Sequence, residues 1–212
     1  MIWYDHSKDT PSGTHALLSG SRSSWFNYDE EKLFNYVAST YASTIGTIIH
    51  EEAAKLIKHQ MKISKVAART IIMLALLEKK VPKAFIDIDR YIENFVAYVN
   101  DAVAYRMRPE QVLRYSENAF GTADAILFDE KKKLLRIHDY KSGITQPCLR
   151  QLEVYAAFFC LEYHVKPKDI SIELRIYWDN QIITGLPTAA DIVPIMDRIV
   201  TFDNFIKSVK EG

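Results

Sequence analysis

Between Gly121 and Gly143 the chain reads GTADAILFDEKKKLLRIHDYKSG, two apolar runs split by the charged stretch DEKKK. Each run carries one aspartate among hydrophobic neighbours, Asp124 in the first and Asp139 in the second. Apolar runs of this length around a charged turn predict a β-hairpin. A carboxylate in such a strand is costly to bury unless hydrogen bonds, a cation or a metal compensate it. A hairpin closed at DEKKK brings the two aspartates onto neighbouring strands, within reach of one hard cation. Asp139 and Lys141 differ by two, so both side chains leave the strand on the same face and an ammonium stands beside the carboxylate. Paired oxygens that hold Mg²⁺ or Mn²⁺, with a lysine to position water and steady developing negative charge, suit hydrolysis of a phosphodiester.

The rest of the chain frames that hairpin. Residues 1–28 mix Ser, Gly, Thr and Pro with isolated aromatics and read as an irregular segment. Residues 29–108 are mainly helical by period. EEKLFNYVASTYA and STIGTIIHEEAAKLIKHQ come first, then VAARTIIMLALLEKK, which Ser64 caps, then a helix with Phe85, Ile88, Ile92, Phe95, Val99 and Val103 on one face. The period changes at Pro109. Strands are expected at QVLRYSENAF, GTADAILF and KLLRIHDYKS, then a helix LRQLEVYAAFFCLEYH, a strand ISIELRIYW, and an IITG segment that extends or pairs with it. Residues 109–185 would thus form the sheet core with one helix, and 186–212 a C-terminal helix bent at Pro194. The expected class is mixed α/β (α+β): a central mixed sheet flanked by helices, with a helical N-terminal part, in a single domain over 1–212.

Composition narrows the function classes. Lys+Arg 27 against Asp+Glu 27 gives no net charge, so a nucleic-acid site has to come from local arrangement rather than an overall basic surface. Two cysteines, Cys148 and Cys160, are too few for a four-thiolate zinc or iron–sulfur site and are expected as reduced packing residues. The N-terminus lacks a secretory pattern and no apolar run approaches the ~20 residues that cross a bilayer, so a cytoplasmic protein without a membrane partner is expected.

The residues quoted so far, taken with two more stretches, resemble a known superfamily. Asp124, then Asp139-Tyr140-Lys141, then Gln151-Leu-Glu-Val-Tyr155, preceded by GTIIHEEAAKLI with His50, are similar in order to the motifs of PD-(D/E)xK nucleases, in particular the RecB-like exonuclease branch. The resemblance runs from about Ser43 to Trp178, and four motifs in order are far more specific than a lone DxK. It implies a restriction-endonuclease-like core. Asp124 and Asp139 would be metal ligands, with the Tyr140 backbone carbonyl and His50 completing the set, and Lys141 would be the catalytic lysine. Gln151 and Tyr155 would brace the site and touch the nucleic-acid strand. The second acid is Asp139 where many superfamily members have Glu, as in the RecB-like branch. The cysteines that hold an iron–sulfur cluster in related helicase-nucleases are missing.

Other residues enter as candidates or as background. Glu117, before the Gly121 turn, is a candidate extra acid for a second metal, since two-metal sites need more acids than a pair. Arg22, among serines and a glycine, is a candidate phosphate contact. Lys131, Lys132 and Lys133 read as a solvated hairpin tip, and Glu51 and Glu52 as solvated helix charges. The expectation is a Mg²⁺- or Mn²⁺-dependent deoxyribonuclease, an exonuclease on linear duplex or single-stranded DNA in repair, recombination or phage DNA processing. A helicase or annealing protein would be its natural partner, and an oligomer is compatible with it. A structure-selective or nicking endonuclease with the same site remains an alternative, as does a nuclease-like module that binds nucleic acid without catalysis.

Overall fold

The computed structural model describes residues 16–211 together with Tyr4 and Lys8. It divides into two compact units, Met1–Ser43 and Thr44–Gly212. Most of the first fifteen residues of the expected irregular segment lie outside the described residues. Its remainder is more ordered than expected, because Gly20–Asn27 forms a 3₁₀ helix interrupted at Arg22 (φ −127°, ψ 55°). Trp25 Nε1 donates to the Ser19 carbonyl at 2.9 Å, which ties that turn to itself.

Helix α1 spans Glu30–Lys58. Asp29 caps it by accepting from the Lys32 N–H at 2.8 Å. The sequence suggested two helices meeting near Ala42; the structure has one. Ser and Thr tend to break helices by competing for backbone groups, but here Ser39 and Thr40 donate their hydroxyls to the carbonyls of Tyr36 and Val37, each at 2.7 Å, and stay inside the helix. Helix α2 is Lys65–Glu78, with Ser64 at its N-cap accepting from Ala67 N, and α3 is Ile88–Ala104.

Five strands follow the change of period: β1 Arg108–Arg114, β2 Phe120–Asp129, β3 Leu134–Tyr140, β4 Ser171–Trp178 and β5 Gln181–Gly185. Helix α4, Arg150–Glu162, lies between β3 and β4, and α5, Ala189–Glu211, closes the chain with Pro194 inside it. The sheet order is β1-β2-β3-β4-β5. β3 and β4 are parallel and all other neighbours antiparallel, so the sheet is mixed, as a hairpin followed by a helical crossover requires.

Helices cover the sheet on both faces. Leu135, Ile137, Leu174 and Ile176 meet Leu152 and Ala156 of α4 in the main core, all fully buried. Burying one such leucine or isoleucine contributes about 1.5–3 kcal/mol. On the other face the alternate strand residues Tyr140 and Tyr177 pack against Tyr98 of α3, with Phe95 edge-on to Tyr140. Cys160 is buried in the core, but Cys148 is exposed, contrary to the packing role expected for it, because it lies in the connection before α4. No helix among the described residues is long and apolar enough to cross a membrane.

Candidate active site

The hairpin register sets the site. Ala125 pairs with His138, so Asp124 and Asp139 occupy the next positions, where the two strands end their ladder. There the Tyr140 N–H is donated to Asp124 Oδ2 at 3.2 Å instead of to a strand neighbour. His50, from α1, places Nδ1 3.1 Å from the same oxygen. Gly46, one turn earlier in α1, lets the helix come close, since a Cβ there would lie 3.1 Å from Ser142 Oγ. Burial alone would lower the His50 pKa, but the hydrogen bond and charge of Asp124 outweigh it and hold the imidazole above its ordinary value.

A second acid joins this pair. The ligand atoms of His50, Asp124 and Glu110 lie within 4.8 Å of one another. Pro109 pairs with Ala125 and Gln111 with Ala123, so Glu110 stands across the ladder from Asp124. Its φ of 49° is left-handed, a conformation that costs a non-glycine residue about 1–2 kcal/mol. Burial, then the Asp124 charge, raises the Glu110 pKa.

The remaining motif residues form one hydrogen-bonded chain beside the triad. Lys141 Nζ donates to Asp139 Oδ1 at 3.2 Å and to Gln151 Oε1 at 2.9 Å, and Gln151 Nε2 donates to the Tyr155 hydroxyl at 2.9 Å. Gln151 and Tyr155 are one turn apart on α4, hence on one face. The Tyr155 ring lies against β2 at Gly121, where a Cβ would approach Cε1 to 2.8 Å. Asp139 is 1% exposed. Burial, followed by the Asp124 charge, pushes its pKa up to about 7, against the pull of Lys141. His138, one residue earlier, faces the opposite side, 3.3 Å from the Tyr177 hydroxyl, and burial lowers its pKa to about 3.

Of the residues singled out from sequence, His50, Asp124, Asp139, Lys141, Gln151 and Tyr155 therefore gather at the open end of β2 and β3. Tyr140 contributes its N–H and a buried ring, and its carbonyl stands at the end of β3. Glu117 does not join them. It is exposed in the β1–β2 connection, 3.5 Å from Lys210 of α5. The extra acid is Glu110, which sequence reasoning missed: β1 was expected to begin at Gln111, and nothing local marks which β1 residue opposes Asp124. Arg22 belongs to the N-terminal unit, where it is exposed.

The donor set fits a hard divalent cation. Carboxylate oxygens and one imidazole are the donors that Mg²⁺ and Mn²⁺ accept. Asp139 Oδ2 is buried and accepts no hydrogen bond among the described residues, although Lys141 Nζ lies 3.1 Å away, so it is an oxygen with a lone pair to offer. A cleft of about 680 Å³ opens onto the triad, lined by Gly46, His50, Glu51 and Lys55 of α1 with Glu110 and Asp124.

Fold and site together define a mixed α/β protein with a histidine–carboxylate cluster and a lysine held on a buried aspartate. The chain belongs to the family described as "Protein of unknown function (DUF2800)", whose model matches residues 15–157. That span takes in every residue of the triad and of the Lys141 chain. No curated protein and no solved structure matches the chain.

Proposed function

We propose that this protein is a metal-dependent deoxyribonuclease that hydrolyses phosphodiester bonds, acting as an exonuclease of the RecB-like kind. The observation that carries the reading is the meeting of two arrays at one strand end: the His50–Glu110–Asp124 triad and the Asp139–Lys141–Gln151–Tyr155 chain. Apart from the Tyr140 N–H that Asp124 accepts, both arrays spend their polar atoms on one another. A buried aspartate beside an acid triad destabilises the fold and is retained where the charge is used.

His50, Glu110, Asp124 and Asp139 are the residues that would hold Mg²⁺ or Mn²⁺, with the Tyr140 carbonyl as a further ligand. Such an ion supplies Lewis-acid polarisation of the scissile phosphate and a lowered pKa for the attacking water. The protein does the rest. Gln151 fixes the Lys141 ammonium through a 2.9 Å hydrogen bond, and Tyr155 fixes Gln151. Lys141 is thereby aimed at the position where negative charge develops on the phosphate, and a preorganised donor there lowers the barrier more than a mobile one. His50 and the Tyr140 N–H hold the Asp124 carboxylate in one orientation.

The test is digestion of end-labelled linear DNA and of covalently closed circular DNA with Mg²⁺, Mn²⁺ or EDTA. Metal-dependent loss of label from linear DNA alone supports the exonuclease. Cutting of the closed circle supports an endonuclease with the same site. Tight binding without turnover in any metal leaves a nucleic-acid-binding module and ends the catalytic reading.

A further inference from the structure

The elements that wall the cleft over the triad, α1 and β1, also border a second hollow of about 610 Å³ lined by Ile57, Lys58, Gln60, Arg106, Met107, Arg108 and Pro109. The first hollow uses Ala54 and Lys55 of α1 and Glu110 of β1; the second begins two residues further along the helix, at Ile57, and one residue back along the strand, at Pro109. The sign of charge reverses along this path. The triad end is acidic, whereas Lys58, Arg106 and Arg108 are exposed cations with no acidic partner among the described residues.

The two helix ends that border the hollow have a backbone form that recurs elsewhere in the fold. Helices α1 and α3 both end at this hollow with a left-handed residue, Gln60 at φ 54° and Arg106 at φ 57°. Each closes its helix in the same way, with Met61 N bonded to the Leu56 carbonyl and Met107 N to the Ala102 carbonyl, and α2 and α4 close likewise after Lys80 and His164. Glycine is the residue that such a cap favours. Gln60 recovers part of the strain by donating Nε2 to the Ile57 carbonyl at 2.9 Å. Arg106 makes no such bond among the described residues.

We infer that the hollow lined by Lys58, Arg106 and Arg108 is a phosphate track that carries the nucleic-acid strand away from the metal-binding cleft. This rests on the nuclease reading and adds the course of the substrate. From His50 to Lys58 the helix rises about 12 Å, the span of three or four phosphates on one strand of a duplex. Three cations gathered at the far end of that span match a polyanion, and the acidic end is where a cation would be needed before any phosphate could approach.

The measurement is binding of a fluorescein-labelled single strand and of a duplex, with Ca²⁺ replacing Mg²⁺, between 50 and 200 mM salt. Each lost phosphate contact flattens the plot of log affinity against log salt by about 0.7 for a single strand and about 0.9 for a duplex. The combined Lys58→Gln, Arg106→Asn, Arg108→Gln variant is expected to flatten the slope by about 2–3, with Mn²⁺ affinity unchanged. Asparagine suits the left-handed position and so keeps the helix end. A control that neutralises Lys131, Lys132 and Lys133 at the β2–β3 turn removes equal charge and is expected to leave the slope as it is.

Photocrosslinking of the unaltered protein to bromodeoxyuridine DNA is expected to give adducts within 57–61 and 106–109. If wild-type protein binds and cleaves DNA while the triple variant keeps the wild-type slope, or if all adducts lie elsewhere, the track is wrong and the nuclease reading stands. Loss of thermal stability in the variant at an unchanged slope shows that these cations only balance the helix ends, and overturns the track as well. If wild-type protein binds no nucleic acid under any condition, both readings fall.

Discussion

One oxygen of Asp124, Oδ2, lies 3.1 Å from His50 Nδ1, so a helix from the first third of the chain and a strand from the second half meet on a single atom. The same oxygen accepts the Tyr140 N–H. Asp124 is therefore the hinge between the triad and the Lys141 chain, and its replacement has consequences for both.

Asp124→Asn is expected to abolish high-affinity Mn²⁺ binding by calorimetry, and Glu110→Gln to weaken it by about 10–100-fold. Glu117→Gln, on the far connection, is expected to leave it unchanged. Equal effects of the Glu110 and Glu117 variants would remove Glu110 from the site.

Metal affinity should depend on pH. Burial and the Asp124 charge raise the Asp139 pKa to about 7, so near neutrality this acid still holds a proton that a cation must displace. Affinity is expected to rise as pH increases towards and past 7, with proton uptake by buffer seen as a dependence of binding enthalpy on buffer ionisation. In the apoprotein the sign is opposite. A raised carboxyl pKa stabilises the fold at low pH, and that contribution is lost as pH rises from the ordinary range near 4 through about 7. Asp139→Asn is expected to flatten both trends.

Lys141→Ala is expected to lower kcat by about 10²–10³-fold with metal affinity retained. Gln151→Ala acts through the aim of the ammonium and is expected to cost about 10–100-fold. The double variant should be little worse than Lys141→Ala alone, since the two act as a unit. Additive losses would show that Gln151 works independently of Lys141.

Gly121→Ala puts a methyl 2.8 Å from the Tyr155 ring, which has to move and take its hydroxyl away from Gln151. The expected result is a stability loss of about 1–3 kcal/mol in denaturant titration together with reduced kcat. Restoration of kcat by Tyr155→Phe in the Gly121→Ala background would contradict a bracing role for the hydroxyl.

Asp203 of α5 joins that helix to the β1–β2 connection, accepting from Ser116 Oγ at 2.6 Å and Asn118 Nδ2 at 3.0 Å. Lys207, with those two donors, lowers its pKa to about 2. A depressed carboxyl pKa stabilises above the unfolded value near 4, and the contribution is lost as pH falls from there to about 2. Asp203→Asn is expected to show a lower melting temperature at neutral pH and a shallower decline across that window.

Much of this arrangement was legible in the amino-acid order. The charged stretch from Asp129 to Lys133 fixed the turn of the hairpin, the turn fixed its register, and the register set Asp124 opposite Asp139. Spacing by four placed Gln151 and Tyr155 on one face of α4 without any knowledge of what they touch. Glu110 was hidden because its position depends on how β1 slides along β2, and the connection at 115–119 with a left-handed backbone at residue 110 determines that only in three dimensions. Glu117 drew attention by nearness in sequence to Gly121, yet the ladder from Phe120 to Asp124 leaves it at the opposite end of the β1–β2 pair from the site. The single α1 was obscured by serines and threonines whose hydroxyls turn back onto their own helix.

The parallel pairing of β3 with β4 makes α4 obligatory, since a chain cannot return to the same end of a sheet without a crossover. That connector also carries Gln151 and Tyr155. Topology has thus conscripted the link as an instrument: whatever loosens the crossover detunes the lysine, and the sheet cannot be assembled in this order without delivering its brace.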